Sequence, residues 1–221
     1  YDALEAGLRT VPFALFTAGA APFAARLASR FGTKRVVTAG LTSMSLGFAW
    51  TTTVAVDSSY WVIVGQMALM GGGLGLAQAP ATESIMGALP PERAGVGSAV
   101  NDTARELGGT LGVAVIGSVF ASIYASGLGD ALAGGPVPAE EVGIAQSSVG
   151  AGMAVADSVA ESFGPAAGEA VRTAVHESFL DGFHAGSWVS ATVVLVGAVL
   201  ALRYLPAHAA IEAIPGVEHD E

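Results

Sequence analysis

The side chains best equipped for chemistry gather in one short stretch, Asn101, Asp102, Thr103, Arg105 and Glu106. Asp102 and Glu106 stand four residues apart and Arg105 three after Asp102, so on a helix the charges share or flank one face. Such a group serves as an intracellular gate or helix tether, as an interfacial anchor, or as a direct handler of protons or substrate. The spacing leaves all three open.

Glu83 follows Pro80 and is placed to hydrogen-bond to that group, to meet a basic loop, or to remain solvated. Gln66 and Gln78 lie twelve residues apart, just over three helical turns, and either present polar groups to a shared cavity or are satisfied by interhelical hydrogen bonds. Arg9 sits beside Pro12 with Glu5 four residues earlier. An interfacial Arg9–Glu5 pair is the cheaper reading, and a place on an anionic substrate path is the other.

No enzyme signature is present. Gly71-Gly72-Gly73-Leu74-Gly75 lacks the preceding strand and the downstream acid of a dinucleotide loop. His176, His184, His208 and His219 are too scattered for a metal site, and no Ser–His spacing supplies a nucleophile. Cysteine is absent, which removes disulfides and thiolate ligands. We therefore expect no catalytic residue, no metal and no cofactor.

The elements that hold these residues follow from where charge is missing. Asp, Glu, Lys and Arg make up 13% of the 221 residues, against 52% apolar residues and a mean hydropathy of +0.58. A soluble domain carries roughly 25% charge. Val36–Val56, Ser58–Thr82, Leu107–Gly129 and Gly182–Leu202 are charge-free runs of 21, 25, 23 and 21 residues. Each reaches the ~20 residues that cross a ~30 Å hydrocarbon core. Thr10–Ala25 is shorter, but Arg9 and Arg26 at its ends can snorkel and extend it. The expected spans are Leu8–Ser29, Val36–Val56, Ser59–Ala81, Val100–Tyr124 and Gly186–Tyr204. The fold class is all-α integral membrane, with about five transmembrane helices and the lipid bilayer as its first partner.

Loop charge orients the spans. Arg26, Arg30, Lys34 and Arg35, four of the nine basic residues, surround one short turn, and Arg93 and Arg105 flank another. The link near Asp57 has no basic residue, and Asp130–Asp181 holds eight acidic residues and only Arg172. Basic short loops stay cytoplasmic, so the N-terminus of the chain is expected outside and the C-terminus inside a cell membrane. Residues 1–205 then form a transmembrane bundle with 130–181 as an extracytoplasmic loop region, and 206–221 form an acidic cytoplasmic tail containing Glu212, Glu218, Asp220 and Glu221. Within 131–181, Val142, Val149, Met153, Val155, Val159 and Phe163 fit a short amphipathic element. Val171, Val175, Phe179 and Phe183 recur every four residues and fit a helix leading into the last span. A mobile loop is the competing reading. The net charge of −10, with no basic patch, excludes a nucleic-acid partner.

Span three carries Gly71, Gly75 and Pro80, and span four Gly108, Gly109 and Gly112. Small residues let helix backbones approach in lipid, while glycine and proline also loosen a helix. Tight packing and a rocking element lining a cavity both fit.

Three stretches carry a family resemblance: Leu4-Glu5-Ala6-Gly7-Leu8-Arg9-Thr10-Val11-Pro12, Leu27 through Arg35, and Ala94 through Gly109. They resemble the C-terminal part of fourteen-helix drug/proton antiporters of the EmrB/QacA kind, in the major facilitator superfamily. The resemblance implies that these spans are the last five, and that the N-terminal half of the same protein, absent here, is a partner. It also implies secondary efflux of lipophilic or amphipathic small molecules by alternating access, with protons as the coupling ion. Arg30, Gly32, Lys34 and Arg35 resemble the family's basic inner-loop motif, with Ala25 where glycine and Ser29 where aspartate often stand. With Asn101, Asp102, Arg105 and Glu106 they are the expected conformational gate. Arg9, Gln66, Gln78 and Glu83 are the cavity or coupling candidates. Export of a particular metabolite or self-made antibiotic, and a non-transporting scaffold or sensor module, are the alternatives. Tyr1 without an initiator Met fits the tail of a longer protein.

Overall fold

A computed structural model describes residues 2–87, 90–135 and 137–206, and the charge-free runs within them are largely helical. The proposed acidic tail, with His208 and His219, lies outside the described residues. Helix α1 (Ala3–Phe31) ends at Gly32, whose φ of 89° and ψ of 144° are strained for any L side chain. Its N–H donates to the Ala28 carbonyl at 2.9 Å, and α2 (Thr33–Thr51) starts at the next residue.

The remaining helices are α3 (Tyr60–Met86), α4 (Ala94–Leu132, after a 3-10 turn at Pro91–Arg93), α5 (Ala139–Ser147), α6 (Val149–Phe163) and α7 (Pro165–Tyr204). Among the described residues there is no strand. Four stretches are long and apolar enough to cross a membrane: Leu4–Phe31, Tyr60–Met86, Ala94–Leu132 and Pro165–Tyr204. Of the five expected spans, Val36–Val56 is the one that falls short. Its helix stops at Thr51, and Thr38, Thr42, Ser43 and Ser45 lower its hydropathy. The Thr38 and Thr42 hydroxyls donate to the Lys34 and Thr38 carbonyls, both at 2.8 Å, so they need no water. At 19 residues α2 is ~28 Å long, close to the thickness of a hydrocarbon core.

The chain divides into two compact units. One draws on Tyr1–Gly47, Val64–Gly108 and Thr192–Glu221, and α3 is its packing centre. Gly71 and Gly75, four residues apart, bring one face of α3 against α1: a Cβ at Gly71 would stand 2.5 Å from the Phe13 carbonyl oxygen, and one at Gly75 would strike the Thr17 carbonyl. Gly73 and Ala77 serve the opposite contact. A Cβ at Gly40 of α2 would lie 2.6 Å from the Gly73 carbonyl oxygen, and the Ser43 hydroxyl donates to the Leu69 carbonyl at 3.0 Å. A helix apolar on all sides is one packed on more than one side, and the alternation of glycines on α3 is how it receives two neighbours. Val37, Ala77 and Ala201 form a small buried cluster in the same unit.

The other unit comprises Phe48–Ile63 and Gly109–Ala191. The stretch read as an outer loop region, 130–181, contains α5, α6 and the first part of α7, packed with the end of α4 around Tyr124, Leu128, Val155, Val159, Val171 and Val175. Ser148 caps α6, its hydroxyl accepting from the Ala151 N–H at 3.1 Å. The predicted recurrence Val171, Val175, Phe179, Phe183 falls on α7; its first two members are buried, and the Phe179 ring meets Phe120 edge-on at 5.6 Å. Of the eight acidic residues in this stretch, all but Glu141 are exposed. Arg172 is engaged by Asp157 and, at 3.1 Å, by Glu169.

Candidate functional site

The first unit contains a cavity of about 700 Å³ between α1, α3 and α4. Phe13, Ala14, Ala18, Ala21, Gly75 and Ala79 give it a mostly apolar wall, and its polar groups come from Thr17, Gln78, Thr82, Glu83 and Arg105. The glycine spacing on α3 explains why the cavity is here. Gly71 and Gly75 hold α1 and α3 in backbone contact, and just beyond Gly75 the larger Gln78, Thr82 and Glu83 stand along the same run of helix. Pro80, fully buried, interrupts the hydrogen-bond ladder at this level because it has no N–H for the Leu76 carbonyl.

Two of the polar groups are already occupied. The Thr17 hydroxyl donates to the Phe13 carbonyl at 2.9 Å and the Thr82 hydroxyl to the Gln78 carbonyl at 3.0 Å. The Gln78 amide, the Glu83 carboxylate and the Arg105 guanidinium, on three exposed residues, are the polar groups that remain at the cavity. An apolar chamber with one amide, one anion and one cation suits an amphipathic molecule better than a hydrophilic one, because few polar groups must be desolvated and matched.

The structure thus brings Gln78, Glu83 and Arg105 to one cavity and places the other predicted residues elsewhere. Gln66 is buried at 2% exposure on α3 and is not part of the cavity wall. Arg9 pairs with Glu5 at 2.8 Å near the start of α1. Arg30 and Arg35 are exposed at the α1–α2 turn, Lys34 is half-buried, and the Arg30 guanidinium lies over the Phe31 ring at 5.3 Å.

On α4, the Asn101 amide donates to the Asp102 carboxylate at 3.4 Å, and no ion pair joins Arg105 to Asp102 or Glu106 among the described residues. The group begins seven residues into α4, or ~10 Å along its axis. A Cβ at Gly108, Gly109 or Gly112 would meet nothing within 4 Å, whereas Gly71 and Gly75 are in backbone contact. Around these α4 glycines Leu107, Leu111 and Val113 are 58%, 62% and 78% exposed, a surface suited to lipid or another helix.

Sequence reading missed Phe13 and Thr17 as cavity residues, and Gly40, Ser43 and Gly47 as the α2 face that meets α3. A signal existed for the second group. Gly40, Ser43 and Gly47 follow an i, i+3, i+7 spacing of small residues, which marks a helix-packing face in lipid. Nothing comparable marks Phe13 or Thr17.

Four helices long and apolar enough to cross a membrane, three of them lining an amphipathic cavity within the first unit, define a polytopic membrane protein. Residues 1–129 match the family model described as Major Facilitator Superfamily, and the chain belongs to that family. It is a family of transporters, so the chain is not an enzyme.

Among curated relatives, the chain is 30% identical over 176 residues to the methyl viologen resistance protein SmvA of Salmonella typhimurium, covering 80% of this chain and 34% of that protein. It is 31% identical over 153 residues to the multidrug efflux pump LfrA of Mycolicibacterium smegmatis, covering 69% of this chain and 30% of the other. It is 36% identical over 122 residues to the multidrug resistance protein Stp of Mycobacterium tuberculosis, covering 55% and 22%. The chain therefore spans about a third or less of the length of these relatives.

Proposed function

We propose that this chain is the C-terminal part of a fourteen-helix secondary transporter that exports lipophilic or amphipathic compounds, driven by proton antiport through alternating access. The observation that carries the reading is the cavity between α1, α3 and α4, apolar in most of its wall and bearing Gln78, Glu83 and Arg105. The names of the relatives, resistance and efflux proteins, support the direction of transport. In this reading the Arg30–Arg35 turn and the Asn101–Glu106 group form the inner gate, the N-terminus of the chain faces outward, and Arg203 lies on the cytoplasmic side. The exposed glycine face of α4 packs against the N-terminal half of the same protein, whose helices complete the path.

The test is transport by the full-length protein in proteoliposomes with an imposed proton gradient, using a panel of lipophilic cations and neutral drugs. Gradient-driven accumulation of at least part of the panel is expected. Movement of every compound at the same rate with and without the gradient would remove the antiport assignment.

A further inference from the structure

Glu83 is a carboxylate in an electrostatically poor position. It sits in the last turn of α3, where the unpaired carbonyls carry the negative end of the helix dipole, and that turn holds no basic residue to offset it. Among the described residues Glu83 makes no ion pair, and neither does Arg105, the one cation that lines the same cavity from α4. The Thr17 and Thr82 hydroxyls are turned to their own helices, so neither stabilises the carboxylate as a donor. A carboxylate in this setting gains most from a positive charge brought to it. Arg105 stands eleven residues into its helix, away from either end, so no dipole of comparable size favours an anion beside it.

The two charges, both on exposed residues, therefore differ in helix-dipole setting: Glu83 stands at a helix C-terminus and Arg105 away from either end. We infer that Glu83 is the counter-ion for the positive centre of an amphipathic ligand in this cavity, and that Arg105 is a resident cation which competes with the ligand for it. The apolar wall formed by Phe13, Ala14 and Ala18 takes the body of the ligand. Charge selection then arises from the α3–α4 pair and bulk selection from α1. The inference deepens the transport reading and rests on it for the ligand's route, but the binding step is separable from transport.

The opposed signs of the two roles make the inference testable. The probe is tetraphenylphosphonium, with triphenylphosphine oxide as a neutral analogue of similar shape, and binding is measured on the full-length protein in nanodiscs at low and high salt. Glu83→Gln is expected to weaken tetraphenylphosphonium binding about tenfold, and Arg105→Gln to strengthen it severalfold, both effects shrinking at high salt. Glu83→Asp retains the charge and is expected to recover most of the affinity. Binding of the neutral analogue stays within about twofold throughout, a readout that a purely structural role would disturb.

Equal losses for the cation and the neutral analogue in Glu83→Gln, or weaker cation binding in Arg105→Gln, would overturn the inference. So would wild-type protein that does not bind tetraphenylphosphonium. Charge-dependent binding without gradient-driven movement in proteoliposomes supports the Glu83 assignment and removes the transport reading. Transport with unchanged cation preference in Glu83→Gln does the reverse.

Discussion

The Tyr124 hydroxyl donates to the Ala145 carbonyl at 3.1 Å, and it also lies 3.3 Å from the Ser148 carbonyl. One buried side chain near the end of α4 thus holds the junction between α5 and α6, where the chain changes direction between two short helices. The phenol ring lies against Phe120 at 6.1 Å, which fixes the hydroxyl's approach.

Removing only that hydroxyl with Tyr124→Phe leaves the ring packing in place and takes a donor from a buried carbonyl. The expected cost is about 1–1.5 kcal/mol, read as a lower thermal midpoint of the full-length protein in detergent. An unchanged midpoint would mean that the α5–α6 junction is held by apolar packing alone.

Gly71 and Gly72 are neighbours on α3 with opposite surroundings. A Cβ at Gly71 would meet the α1 backbone at Phe13, and one at Gly72 would meet nothing within 4 Å. Gly71→Ala is expected to destabilise by about 1–3 kcal/mol, since backbone atoms cannot step aside as a flexible side chain can. Gly72→Ala is expected to be neutral or to gain about 0.5–1 kcal/mol from helix propensity. Equal effects of the two in thermal unfolding would count against the α1–α3 contact.

At the α1–α2 turn the constraint is conformational. Gly32→Ala places a Cβ on a residue with φ of 89° and ψ of 144°. A loss of about 1–3 kcal/mol is expected, together with slower transport if the turn works as a gate. Wild-type stability in this variant would show that the turn has another accessible geometry.

The His184 ring Nε2 lies 2.8 Å from the Val54 carbonyl and ties α7 to the segment after α2. Replacing His184 with Ala should cost about 1 kcal/mol, and Gln should recover part of it by supplying an amide donor. Faster amide exchange at residues 54–58 in the Ala variant, slowed again in the Gln variant, is the signature to seek. Identical exchange in all three proteins would rule out the tie.

Topology is open to direct labelling because this sequence contains no cysteine of its own. Thr33, in the basic turn, is 3% exposed and unsuited to a reagent, whereas Ser29 and Gly150 are both exposed. Single cysteines at Ser29 and Gly150 are expected to react from opposite faces of the membrane with an impermeant maleimide. Labelling from the same face would overturn the inside–outside assignment.

Much of the fold was legible because it depends on sums along the chain. The charge-free runs marked where the membrane-length helices would be, and the four-residue recurrence from Val171 to Phe183 marked the first half of α7. The exception, α2, has an apolar run interrupted by hydroxyls whose hydrogen bonds to the backbone a count of charges does not register. The candidate site was legible only in part. Gln78, Glu83 and Arg105 stood out as polar groups in an apolar setting, but Phe13 and Thr17 look like any other residues of an apolar helix.

By itself the sequence determined the solvent and the family. Long stretches without charge cannot all be buried in a chain of this size, and the Leu27–Arg35 and Ala94–Gly109 stretches are specific enough to carry a likeness. Only the tertiary structure decided which small residues are contacts and which are open faces. Gly71 and Gly75 touch α1, Gly73 touches α2, and a Cβ at Gly108, Gly109 or Gly112 would meet nothing within 4 Å. It also decided that Glu83 and Arg105, on different helices, line one cavity. The reason is physical: a glycine's role, or a charge's, is set by what lies across from it, and helix periodicity fixes the direction a residue faces without fixing what is there.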